Sequence, residues 1–233
     1  MRPVRSLRRA AQVLAAMCLI LLVVMAGHPY FTNASRPPRG IGDPHIALQM
    51  SRNIAELDAI FADVPSPDRE VMRIKQQIDF AFIAAYGFLA LTLGEVLAGR
   101  SKAGRLVGLL ALVGAAFDAR ENSIILRLVD TPLASTTQAS IEALHSASVG
   151  KWVFTAAAVA VLSLYWLATP RWFMRAIGGM ELAGALLAAA GLRENAWLPS
   201  SAALMAFGIL LNAATLKFLP HESPTRNPVP RSV

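Results

Sequence analysis

The sequence predicts an all-α integral membrane protein, a helical bundle of about six transmembrane helices with both termini in the cytoplasm. Three observations carry that prediction. The 233 residues are 55% hydrophobic and only 16% charged, where soluble domains run near about 45–50% apolar and 25% charged. Apolar runs long enough to span a bilayer recur along the chain, separated mostly by short connectors. Lysine and arginine collect in alternate connectors, as expected of segments that resist translocation. The net charge of +7 raises the possibility of nucleic acid as a partner. Its basic residues are scattered between apolar runs and form no patch with interleaved aromatics, so the expected partner is the lipid bilayer and not nucleic acid.

Residues 1–27 read as a basic N-terminus (Arg2, Arg5, Arg8, Arg9) followed by an uncharged run from Ala11 to Gly27. This has the form of a signal anchor; cleavage after Ala26 is the alternative and would leave five helices. Residues 28–76 form the one long hydrophilic stretch, on the extracytoplasmic side. It opens with the linker Arg36-Pro37-Pro38-Arg39-Gly40. Asp43-Pro44 then provides a cap and a first-turn proline for an amphipathic helix whose apolar face is Ile46, Met50, Ile54, Leu57, Phe61 and Val64. The helix is expected to pack on the membrane domain or lie at the interface; the alternative is a helix that binds a protein partner through this outer loop. Ser66-Pro67-Asp68 starts a second helix that runs without a breaker into the apolar span Ile78–Ala98.

Residues 77–219 read as a membrane bundle of five helices. The spans after the first of these are Leu106–Val129, about Val149–Ala168, Phe173–Leu192 and Ser200–Leu219. Asp130 to Ala147 reads as a connecting loop, because Thr131-Pro132 and Ser135-Thr136-Thr137 are turn-forming. Trp152, Trp166, Trp172 and Trp197 fall near span ends, where an amphipathic indole suits the interface. The tail, residues 220–233, carries further prolines and is expected to be disordered in the cytoplasm.

The third span is interrupted by charge. Asp118, Glu121 and Asn122 share one helical face, which continues through Ala111, Gly114 and Ala115 in one direction and Ile125 in the other. A carboxylate facing lipid costs about 2.5–3.5 kcal/mol on insertion scales, so these acids must face protein or water. Helix registers place Lys151, Asp79 and Tyr86 at a similar depth, with His145 and Ser148 just outside the fourth span. The expected result is a polar cluster of Asp79, Tyr86, Asp118, Glu121, Asn122 and Lys151, containing a Glu121–Lys151 ion pair and opening to the outer face. A second pair, Glu181 and Asn212, lies nearer the cytoplasm among small residues including Gly184 and Ala188, and reads as a hydrogen bond across a close helix contact. Arg120 and Arg127 occupy another face of the third span. Arg193-Glu194-Asn195 repeats the tripeptide Arg120-Glu121-Asn122, which is too short to establish an internal repeat.

The stretch Asp118-Ala119-Arg120-Glu121-Asn122, followed by Lys151-Trp152, resembles a pattern in uncharacterised bacterial polytopic membrane proteins that carry a DxxEN motif in a transmembrane helix. The resemblance covers the second to fourth spans and implies a bacterial inner-membrane location but no known activity.

The lone Cys18 excludes an intrachain disulfide or thiolate site, and no phosphate loop, dinucleotide fingerprint, zinc-protease helix or serine elbow is present. No cofactor or metal is therefore expected. Three functional readings follow: binding or transport of a small solute or proton through the cluster, an accessory protein binding a partner through its outer loop, and a membrane enzyme with Asp118 or Glu121 as general acid or base.

Overall fold

A computed structural model describes residues 2–32, 41–99 and 101–216, with the side chains of 6–32, 41–60, 62–99 and 101–216. The Arg36–Gly40 linker, the tail from Pro220, and the side chain of Phe61 lie outside these residues. The described chain forms eight α-helices and two short 3-10 turns, with no strand among the described residues.

Five helices are long and apolar enough to cross a membrane: α1 (Arg2–Ala26), α4 (Pro67–Ala98), α6 (Gln138–Leu167), α7 (Trp172–Gly191) and α8 (Leu198–Thr215). The 28-residue α5 (Ala103–Asp130) lies beside them, packed between α4 and α6. Successive helices α4 to α8 pack as neighbours, and α1 closes the ring by contacting both α4 and α8. Its Ala11, Ala15 and Cys18 face inward, while Val13, Leu19, Ile20 and Val23 face out. Exposed leucine, valine and phenylalanine recur on the other helices too, at Phe88, Leu109, Leu164, Leu186 and Phe207. An apolar exterior of this extent is what a bilayer-embedded bundle presents.

Small residues set the close helix approaches. A Cβ on Gly178 would lie 2.8 Å from the Ser163 carbonyl oxygen of α6, so α6 and α7 touch backbone to side-chain base there. Gly184 packs on Leu204 and Met205 of α8, and its carbonyl accepts a hydrogen bond from the Ser201 hydroxyl at 2.9 Å.

The hydrophilic stretch packs on the bundle, the first of the two placements expected for its helix. Asp43 caps α2 (Pro44–Gln49), its carboxylate accepting from the His45 and Ile46 amides at 2.8 and 3.1 Å. The expected single amphipathic helix is instead broken: Asn53 caps a separate α3 (Ile54–Phe61) through the Glu56 amide. The break rotates the register, so Ile54 and Val64 are exposed while Leu48 and Ile60, outside the expected stripe, are buried. Ile46, Leu48, Met50, Leu57 and Ile60 pack with Met72, Ile125, Leu128, Ile141 and Leu144 in one core. Both cap helices are thereby tied down on the bundle.

The 130–147 loop is also shorter than expected. Thr137 caps α6 through the Ser140 amide at 3.2 Å, and Ile141 and Leu144 are fully buried, so the helix begins at Gln138. At 1.5 Å per residue, α4 with 32 residues and α6 with 30 exceed a hydrocarbon core about 30 Å thick by roughly 15 Å or more. Their extra turns stand on the face that carries α2 and α3.

Helix ends on that face are capped by cations from α4. Lys75 Nζ donates to the Met25 carbonyl and, at 3.2 Å, to that of Gly27 at the end of α1. The Arg69 guanidinium, almost fully buried, donates Nη1 to the Leu128, Val129 and Thr131 carbonyls at 2.9 Å and Nε to that of Ala62 at 2.8 Å. Terminal carbonyls carry the negative end of the helix dipole, so both cations sit where charge favours them. Of the four tryptophans expected near span ends, Trp166, Trp172 and Trp197 stand at helix ends, while Trp152 lies midway along α6; Trp152 and Trp166 are buried, Trp172 and Trp197 exposed.

Candidate functional site

A band of polar side chains separates the outer core, under α2 and α3, from a second core built on Leu89, Leu93, Leu97, Leu162 and Trp166. The buried stripe of α5 contains Ala111, Gly114, Ala115, Asp118, Glu121, Asn122 and Ile125, the face expected from its spacing. Because α5 is flanked by α4 and α6, this stripe meets Asp79 and Tyr86 on one side and Lys151 on the other.

The geometry is specific. Lys151 Nζ lies 2.7 Å from Glu121 Oε1 and 3.2 Å from Asp118 Oδ1. The Tyr86 hydroxyl donates to Asp118 Oδ2 at 2.9 Å, and Asn122 Nδ2 donates to Asp79 Oδ2 at 2.8 Å. The six residues expected in the cluster thus form two bonded sets, Tyr86–Asp118–Lys151–Glu121 and Asp79–Asn122, adjacent through the neighbouring positions Glu121 and Asn122 of α5. Glu121 and Asn122 have no exposed surface, and Asp79 and Asp118 are buried.

One expectation about its surroundings is corrected. The cluster does not open to the outer face, because α2 lies across it. His45 Nδ1 and Gln76 Nε2 are 3.2 Å apart, and Trp152 Nε1 donates to Gln49 Oε1 at 3.3 Å. His145 and Ser148, expected just outside the fourth span, lie two to three turns into α6, in the N-terminal half by which it exceeds a span. Ser148 is fully buried and its hydroxyl donates to the Leu144 carbonyl at 3.0 Å. The histidine that caps the cluster is His45, assigned by sequence to a loop. Burial, and secondarily the Lys151 ammonium, push its ring down to about 4, so it is neutral above that range. Gln49, Gln76 and Arg69 likewise escaped sequence reasoning. Their partners are set by the folding of the 41–76 segment onto the bundle, for which residue spacing has no signature.

Chemically, two carboxyl groups contact one ammonium, and a third, Asp79, is held beside them by the Asn122 amide. An unpaired charge in such a setting costs several kcal/mol, roughly, so charge balance with one lysine leaves two of the three carboxyls as sites for protons. Asn122 Oδ1 and Gln76 Oε1 are buried acceptors with no hydrogen-bond donor among the described residues. A protonated carboxyl supplies the donor that such acceptors lack.

Glu181 and Asn212 also meet: Asn212 Nδ2 donates to Glu181 Oε1, with Gly208 packed directly on the Glu181 side chain. Glu181 has no exposed surface. Arg193-Glu194-Asn195 falls in the turn between α7 and α8, whereas Arg120-Glu121-Asn122 lies within α5, so the repeated tripeptide occupies unlike structures.

Outside the membrane-length segments, Asp63 accepts from the Leu133 and Val64 amides, both at 2.8 Å, and these bonds hold its carboxyl below the usual carboxylate range. Asp130 is held low in the same sense by Arg73, whose guanidinium is 2.7 Å away. Comparison of the chain with protein-family models, curated proteins and solved structures finds no match.

Proposed function

We propose that the protein is a six-span protein of the bacterial inner membrane, both termini cytoplasmic, whose buried carboxyl–lysine cluster takes up and releases protons. The observation that carries this reading is the excess of acid over base: Asp79, Asp118 and Glu121 enclosed with Lys151 as their one ammonium. A closed, packed site favours a proton over a larger solute, since a small-molecule pocket ordinarily encloses about 300 Å³ or more. In this reading α5 is the sixth span, its charged face turned into the bundle, and α1 is a retained anchor. Lys75 caps the carbonyl end of α1, which cleavage after Ala26 would remove.

Access would come by displacement of α2, which couples the outer segment to the cluster. The accessory-protein reading is weakened because the apolar side of α2 and α3, the surface a partner helix would need, is already buried against the bundle.

The test is infrared titration of the full chain in nanodiscs, reading the protonated-carboxyl band as pH is varied. The band should change with pH in the wild type and lose a component in Glu121→Gln and in Asp118→Asn. Absence of any pH-sensitive carboxyl band assignable to these residues would refute proton uptake. Unfolding of Glu121→Gln and Lys151→Met singly, with recovery in the double variant and no pH-dependent band, would make the cluster a structural brace.

A further inference from the structure

We propose that the outward face of α5 and the start of α6 form a binding site for an anionic lipid at the membrane edge that carries α2 and α3. The inference takes from the preceding section only that α5 lies in the bilayer; it is independent of proton chemistry.

The exposed stripe of α5 changes character along its length. Leu109, Leu112 and Ala116 are exposed toward one end, then Arg120, Ser123 and Arg127 toward the other. Neither guanidinium has an ion pair or a hydrogen-bonded partner among the described residues, although the Arg127 carbonyl accepts from the Thr131 hydroxyl. A lipid-facing arginine without a counter-charge is costly, whereas one that meets an anionic headgroup is favoured. This exposed stripe lies opposite the acids of the buried cluster, so those acids are committed elsewhere.

Arg127 also lines a cavity of about 440 Å³ between α5, the 131–137 turn and α6. Ile124 and the small side chains of Ala139 and Ala143 give its lining an apolar part, and Ser135 adds a hydroxyl to it. That volume falls in the range of small-ligand sites, about 300–1,000 Å³. A guanidinium with a neighbouring hydroxyl matches a phosphate, which arginine can bind with two parallel N–H donors. The apolar part of the lining matches the start of an acyl chain, and exposed Leu112 and Leu109 lie further along the outward stripe of α5. A second copy of this chain is disfavoured as occupant, because a two-fold contact through α5 would set Arg120 and Arg127 against themselves.

The experiment places the full chain in nanodiscs of phosphatidylcholine, with and without phosphatidylglycerol, and counts retained lipid by native mass spectrometry. The wild type should retain phosphatidylglycerol in preference. Arg127→Gln should weaken that retention about fivefold, the effect of one cation near an anionic surface. Ala143→Trp, which fills the cavity and keeps the arginine, should weaken it as well and serves if Arg127→Gln fails to fold. Arg105→Gln, on the same helix at the other membrane edge, should leave it unchanged. Equal retention of both lipids, or unaltered preference in both Arg127→Gln and Ala143→Trp, overturns the proposal. Displacement of the lipid by millimolar inorganic phosphate would show a site for free anions and overturns it too.

Discussion

Replacing Lys151 by methionine removes the one ammonium that Glu121 and Asp118 share, at 2.7 and 3.2 Å, while preserving most of the side-chain volume. Breaking a buried pair by deleting one partner costs about 3–5 kcal/mol, because the remaining charge is stranded. Against a total stability of roughly 5–15 kcal/mol, that is enough to depopulate the fold. Glu121→Gln should cost less, about 1.5–3 kcal/mol, since Lys151 keeps Asp118 and the amide can still accept from it. The double variant removes one charge of each sign, leaving Asp118 held by Tyr86, and a coupling of about 2–3 kcal/mol is expected across the cycle. Equilibrium unfolding of the four proteins in one detergent at one pH measures this directly. A Lys151→Met protein within about 0.5 kcal/mol of wild type, or a cycle that closes additively, would refute the picture of a mutually dependent buried cluster.

Other expectations concern the outer layer. His45 has its folded value lowered to about 4 from an unfolded value near 6.5, so its contribution is present above about pH 6.5 and is lost as pH falls from there toward 4. His45→Gln should therefore flatten the stability profile in that window, as read by thermal unfolding at a series of pH values. The carboxyls of Asp63 and Asp130 are shifted down, so their contribution is present above the unfolded value near 4 and disappears as pH drops through the folded values. Asp63→Asn should speed hydrogen exchange at the Leu133 amide at neutral pH and abolish the loss of protection on acidification, judged against the intrinsic exchange rate; an unchanged rate counts against the latch. Arg69→Gln leaves several carbonyls at the α5 terminus without their donor and should cost about 3 kcal/mol in chemical unfolding, compared with under about 0.5 kcal/mol for exposed Arg193→Gln. Leu48→Ala, at a fully buried position of α2, should cost about 2–5 kcal/mol locally and raise amide exchange in α2 by at least about 30-fold while α7 is unaffected. Equal acceleration in both helices would mean that α2 does not open separately.

What could be read from the sequence depended on whether the signal was local. The inward face of α5 was legible because a carboxylate in a bilayer has few places to go, so spacing alone selects the buried stripe Asp118, Glu121, Asn122. The pairing with Lys151 followed from depth, since straight helices of fixed rise place residues at comparable heights. Boundaries set by capping were less legible. Thr137 stands in a run of hydroxyl residues that reads as turn, yet its side chain caps α6. Asn53 interrupts an apolar period that continues by coincidence on either side, so two short helices resembled a single long one. Arg69 was read only as part of a charge count. Its partners are backbone carbonyls some 60 positions away, and every residue type offers a carbonyl, so no residue pattern can announce that contact.

The covering of the cluster by α2 joins these two kinds of information. Read alone, the membrane segments contain an acidic site open at the outer ends of three helices, and the connector contains a helix that could pack on the bundle without any sign of what it covers. The connector buries Ile46, Leu48 and Met50 under its own polar surface, and contributes His45 and Gln49 above the cluster. Each large apolar side chain so buried contributes about 1.5–3 kcal/mol, which makes an open cap a minor state without forbidding it. A neutral His45 beside Lys151 suits the closed state, because a second cation there would oppose the ammonium on which the carboxyls depend. If the cluster takes up protons as proposed, the residue that closes the site would tie closure to the charge beneath it, and proton occupancy and the position of α2 would be linked equilibria: whatever favours one must, by reciprocity, bias the other.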